Sequence, residues 1–190
     1  VATYGKLVLI AEKNKDKIQA SKYLVSLGNI APDQMRIDAR MKWLIYQREL
    51  GNYDEIITKI QQMLGMSEFS KEYMQLELEL GKVYKDKGDF SLAKDIFGIM
   101  VEKYSKKNES AEAYYQLGYI ALMEDFNIDL ANEYFEQSKK DRPSSYHGKE
   151  STEILKKINR YELLLDLYKD LQENKDEEAS YRQDNSNANI

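Results

Sequence analysis

The stretches Leu80–Phe97 (LGKVYKDKGDFSLAKDIF) and Leu117–Phe135 (LGYIALMEDFNIDLANEYF) carry one pattern, with a single residue inserted in the second. A chain that repeats at a fixed period is strongly constrained. Each unit must bury its apolar side against the next, and the result is a stack. Leu80-Gly81 recurs as Leu117-Gly118, and Ala93-x-x-x-Phe97 recurs as Ala131-x-x-x-Phe135. Further back, Trp43 lies 37 residues before Leu80, and Ile56 and Ile60 lie 37 before Ala93 and Phe97. Gly51-Asn52-Tyr53 likewise precedes Gly88-Asp89-Phe90 by 37. One unit earlier, Leu7, Ala20, Leu24 and Leu27 stand 36 residues before Trp43, Ile56, Ile60 and Met63. The chain's two prolines, Pro32 and Pro143, both fall twelve residues after the alanines at 20 and 131, which supports the register independently.

Within a unit the apolar positions have helical spacing. Leu76, Leu80, Val83 and Tyr84 form one stripe, and Leu92, Ala93, Ile96, Phe97 and Met100 form a second. Gly88-Asp89 separates them, Gly to close one helix in the left-handed conformation and Asp to accept from the free N–H groups of the next. So short a connection makes an antiparallel hairpin. The register predicts hairpins over about 2–35, 37–68, 72–106 and 109–142, then a long capping helix over about 145–172. Positions 173–190 lack an apolar period and read as a flexible tail. An interior helical glycine costs about 1 kcal/mol relative to Ala. Gly81 and Gly118 therefore mark close approach between neighbouring hairpins, with Ala93 and Ala131 as the facing small residues and Phe97 and Phe135 as large knobs.

The pattern Leu80, Gly81, Tyr84, Ala93, Phe97, repeated as Leu117, Gly118, Ala131, Phe135, Pro143, resembles that of tetratricopeptide repeats. Ala121 stands in place of the tyrosine in the later unit. In the earlier units Val8 and Leu44 stand where the family has glycine, and Ile56 where it has a small residue. The resemblance implies an all-α, right-handed superhelix of antiparallel hairpins that binds protein partners without chemistry. The long period of 36–38 residues is similar to repeats of bacterial envelope proteins of the outer-membrane-assembly lipoprotein and Tol-associated coordinator kind. That likeness implies a periplasmic or envelope location, with the cytoplasm as the alternative. The chain begins at Val1 rather than Met, so a removed upstream segment is expected.

Composition narrows the function classes. A net charge of −5 speaks against the basic surface that phosphate-backbone binding needs. With no cysteine there is neither a thiolate nucleophile nor a cysteine zinc site. The longest apolar run, Leu7–Ala11, is far short of a membrane span. One histidine, His147, cannot make a His-rich metal site, and it reads as solvent-facing. "HGKES" lacks the spacing of a phosphate-binding loop, and Glu77 and Glu79 read as solvated carboxylates on different helix faces. No cofactor, metal or catalytic group is predicted.

A binding surface remains. The resemblance implies that the first helix of each hairpin lines a concave groove. Its expected lining is Met41, Ile45 and Arg48, then Leu78, Lys82 and Lys85, then Tyr115, Tyr119 and Leu122. Tyr114 is assigned to packing. Exposed aromatics suit interaction hot spots, and the three cations suit an acidic side chain or a terminal carboxylate. The other reading has the tyrosines covering a neighbouring helix. Two further alternatives stand: an assembly subunit that forms a homodimer through its C-terminal helix, where Ile154, Ile158, Tyr161, Leu165 and Tyr168 make an apolar stripe, and a helical-repeat nucleic-acid binder.

Overall fold

The computed structural model describes residues 1–187, and their side chains except at Asp33, Asn174 and positions 176–187. The described residues form helices and no strand. The first hairpin is α1 (Ala2–Lys13) with α2 (Lys17–Ile30), and the second is α3 (Asp33–Glu49) with α4 (Tyr53–Leu64). The third is α5 (Tyr73–Lys87) with α6 (Phe90–Lys103), and the fourth is α7 (Asn108–Met123) with α8 (Ile128–Asp141). A single long helix, α9 (Tyr146–Asn187), follows. Consecutive helices pack on one another, and α3, α5, α7 and α9 also touch in succession. This is an all-α solenoid.

Three boundaries differ from the sequence reading. Pro32 does not trail the first hairpin; it caps α3 at φ −77°, so that hairpin ends at Ile30 and the second begins at Asp33. Proline suits a helix start because the missing N–H has no intrahelical acceptor there. Between α4 and α5 a short 3-10 turn, Ser67–Phe69, places Phe69 fully inside the core. Finally, α9 continues to Asn187 where a flexible tail was expected from 173. The segment contains neither Gly nor Pro and is rich in good helix formers. Loss of the apolar period removed its packing partner, not its backbone preference.

The two repeat glycines have a specific role. A Cβ added at Gly81 would lie 2.5 Å from the Phe97 ring, and one added at Gly118 would lie 2.8 Å from Phe135. Each glycine thus admits the phenylalanine of its own hairpin, rather than marking a close approach between neighbouring hairpins as the sequence suggested. Both rings are fully buried, as are Ala93 and Ala131. Gly88 closes α5 at φ +90° as expected, but the Asp89 side chain makes no capping bond. The cap role is filled in the fourth hairpin by Asn127, which accepts from Leu130 N–H at 3.0 Å.

Elsewhere the core is more conventional. Val8, Leu44, Ile56 and Ile60 are buried together with Trp43, Met63 and Phe69 in the N-terminal cluster. Phe97 centres the middle cluster and Phe135 the last, where α9 contributes Leu155 and Ile158. Two buried serines tie the fourth hairpin internally. Ser138 donates to the Ala111 carbonyl at 2.7 Å, and Ser110 donates to the Asp141 carboxylate.

Candidate functional site

The side chains that join the first helices of successive hairpins form one polar ladder. Between α1 and α3, Glu12 meets Lys42 at 2.5 Å and accepts from the Tyr46 hydroxyl at 2.7 Å. Between α3 and α5, Arg48 stands 3.4 Å from both Glu79 and Asp86. Between α5 and α7, Lys82 pairs with Glu112 at 3.0 Å while also holding Glu79 at 2.7 Å, and Lys85 donates to Gln116 at 2.7 Å. Between α7 and α9, His147 Nδ1 lies 3.5 Å from Glu112. Every rung is about one repeat long, so the repeat that stacks the core also stacks the charges.

This arrangement changes the reading of the expected groove. Arg48 and Lys82 are already neutralised by Glu79, Asp86 and Glu112, so they are not open sites for an acidic ligand. Glu79 is only 5% exposed, not solvated. It is held by two cations from different helices, the partners a buried carboxylate needs to offset its desolvation. Lys85 differs. Its nearest carboxylate, Asp86, is 3.8 Å away, and its ammonium sits 5.6 Å from the centre of the Tyr119 ring. Burial pulls its pKa down, opposed by Asp86 and reinforced by Arg48 and Lys82.

Two apolar positions assigned to the groove are buried. Met41 belongs to the N-terminal cluster, and Leu78 belongs to the middle cluster, where it forms part of the wall of the cleft between α5 and α7. Both lie at the edge of their helix's core stripe, and a neighbouring helix covers that edge. Ile45 is half-buried. Leu122 is partly buried against the last cluster.

The tyrosines divide further than the sequence implied. Tyr115 packs against the last cluster, with its ring edge-on to Phe135 at 5.8 Å. Its other neighbours are the stacked Tyr119 at 6.4 Å and His147 at 5.0 Å. Tyr119 is 41% exposed, and Tyr146, edge-on to His147, is 70% exposed. Four rings therefore run from α7 to the start of α9, open to solvent at both ends. Tyr114 is half-buried on the opposite side of α7, beside Asn132 and Tyr134.

His147 is the residue the sequence misjudged most. Its imidazole is largely covered, and burial lowers its pKa below the ordinary value; Glu112 and Glu150 push the other way, and Lys82 adds to the lowering. Beside it, Gln75, Glu79, Lys82, Asn108, Glu109, Glu112 and Tyr146 line an open cleft of about 410 Å³ where α5, α7 and α9 meet. Gly148 makes the turn into α9 possible, because an added Cβ would lie 2.3 Å from the Arg142 carbonyl oxygen. No helix among the described residues is long and apolar enough to cross a membrane.

Comparison with known proteins bears on the fold. No family model matches the chain, and no curated protein matches it. Among solved structures it is similar to a tetratricopeptide repeat protein from Parabacteroides merdae, at 16% identity and a TM-score of 0.55. The match covers 85% of this chain and 62% of that one, so the chain spans less than two thirds of its structural relative. The fold is tetratricopeptide-like.

Proposed function

We propose that the chain is a non-catalytic scaffold that receives a peptide segment along α7, between Lys85 with Tyr119 at one end and the α5–α7–α9 cleft at the other. The observation that carries this reading is the run of four rings from Tyr119 to Tyr146, whose two ends are exposed while its middle is fixed in the core. Rigid aromatics offer contact area at little entropic cost. Asn108 to Tyr119 spans about 16 Å of helix, the length of about five extended residues.

The ligand's chemistry follows from the charges. A flat or branched apolar side chain would stack on Tyr119, and a carbonyl or carboxylate oxygen would accept from Lys85. The ladder carboxylates near the cleft, with Glu109 at its rim, favour polar or basic groups at the other end. A uniformly acidic ligand is disfavoured, because Arg48 and Lys82 already have partners.

A displayed peptide library tests the reading. Peptides enriched on the wild type should lose at least tenfold in affinity on a Tyr119→Ala/Tyr146→Ala variant, with unchanged circular dichroism, since both residues are exposed. Enrichment of the same peptides on both proteins would remove this face from consideration.

A further inference from the structure

A further uncovered apolar surface lies along α9. Ile154, Leu155 and Ile158 hold the first part of α9 against the fourth hairpin, and the last polar contact is Asn132 to Glu162 at 3.4 Å. From Leu163 onward every described side chain of α9 is exposed. Tyr161 just before it, and Leu163, Leu164, Leu165, Leu167, Tyr168 and Leu171 within it, are each between 38% and 61% exposed.

At 100° per residue these seven fill an arc roughly 200° wide, while Glu162, Asp166, Lys169, Asp170 and Glu173 fill the rest. The antiparallel contact of Asn132 with Glu162 brings the α7–α8 turn to the level of residues 167–170. That turn carries Phe126, 83% exposed and held at φ +53°, and follows Met123, 49% exposed. A bulky residue in the left-handed region is strained and persists only where surroundings hold it.

We infer that this surface is the interface of a two-fold dimer, in which residues 161–171 of α9 pair antiparallel with the same residues of a second copy. Three observations identify a second copy as the occupant. The first is area. The seven side chains expose roughly 700 Å² of mostly apolar surface, above the roughly 300–600 Å² patch of a typical monomer and close to the roughly 800 Å² per partner of a stable interface. The second is self-complementarity. With the helices crossing at the level of Asp166, Tyr161 comes opposite Leu171 and Leu164 opposite Tyr168, each contact occurring twice as two-fold symmetry demands, while Leu165 and Leu167 border the seam on its two flanks. Asp166 itself lies on the polar arc, away from the partner.

The third is charge. The first part of α9 is net positive, with Lys149, Lys156, Lys157 and Arg160 against Glu150 and Glu153, and the sequence after Leu171 is predominantly acidic. Antiparallel pairing sets one against the other, and parallel pairing would set like against like. Phe126 and Met123 then lie at the margin of the interface.

The test is the solution mass of the full chain across a concentration series, by sedimentation equilibrium. The wild type should sediment at twice its 22.3 kDa. Leu164→Glu/Leu171→Glu should sediment as a monomer with unchanged helical content, because both leucines are exposed. Phe126→Ser, which leaves α9 intact, should weaken association at least threefold. The chain has no cysteine, so the relative direction of the two helices can be read directly. Mixing Leu164→Cys with Tyr168→Cys chains under mild oxidation should give the mixed disulfide in excess of either homodisulfide. A monomeric wild type at all concentrations, or a dimer undisturbed by Leu164→Glu/Leu171→Glu, would overturn the proposal. Homodisulfides in excess would overturn its antiparallel geometry.

Discussion

In the fourth hairpin α7 and α8 close on Gly118 and Phe135, whereas in the second hairpin the same register positions hold Leu44 and Ile60. The sequence alignment is equivalent, but the packing is not. With no side chain at 118, the Phe135 ring reaches the α7 backbone, and Ala131 leaves room beside it. With Leu44, Ile56 and Ile60 all large, both helices present bulk at their crossing and the axes cannot close. As a result α3 packs more extensively on α2 than on its own partner α4. A cleft of about 560 Å³ remains between α2, α3 and α4, reached by Trp43 and Met63. One repeat register thus supports two solutions, a ring against a glycine and branched chains against each other. The first is tight and intolerant, and the second is open.

The comparison breaks most visibly at the ring. Phe135→Ala should lower unfolding free energy by about 3–5 kcal/mol, and Ile60→Ala by about 2–5 kcal/mol. Urea denaturation reads both, and the idea fails if the isoleucine costs more than the phenylalanine.

A smaller and sharper effect is expected at the glycines. Gly118→Ala gains about 1 kcal/mol of helix propensity, yet its Cβ would lie 2.8 Å from a rigid ring, so the net outcome should be a loss of about 1–3 kcal/mol. Gly98, in α6, has open space around its Cβ position. Gly98→Ala should therefore stabilise by about 0.5–1 kcal/mol. Opposite signs in thermal melts would sustain the distinction, and equal signs would end it.

The smallest effect concerns pH and is confined to the C-terminal side. Burial depresses the pKa of His147 in the folded chain. Below an unfolded value of about 6.5 the unfolded chain binds more protons, so stability falls as pH drops toward the folded value. Glu112 from α7, Lys82 from α5 and Glu150 from α9 are the charges acting on it. The contribution is fully present above about pH 6.5. His147→Gln should flatten the decline in melting temperature between pH 7.5 and 5; an unchanged slope would assign that decline to the carboxylates.

Much of this molecule was legible in its residue order. Helical spacing, the recurring Leu-Gly and Ala-x-x-x-Phe, and the placement of two prolines determined a stack of hairpins, because a repeat that cannot bury its apolar face alone must bury it on its neighbour. The sequence also marked the glycines as points of close approach and the phenylalanines as large knobs, though not that the two meet, nor that they do so within one hairpin. What only the tertiary structure decided is how neighbouring helices cross. That angle buried Met41 and Leu78, packed Tyr115 against the last cluster, covered His147, and brought Glu79 and Glu112 onto the cations expected to face a ligand. Periodicity tells which side of one helix is apolar. It does not tell how far the next helix overlaps that side, and the residues at its edge are where the two readings part.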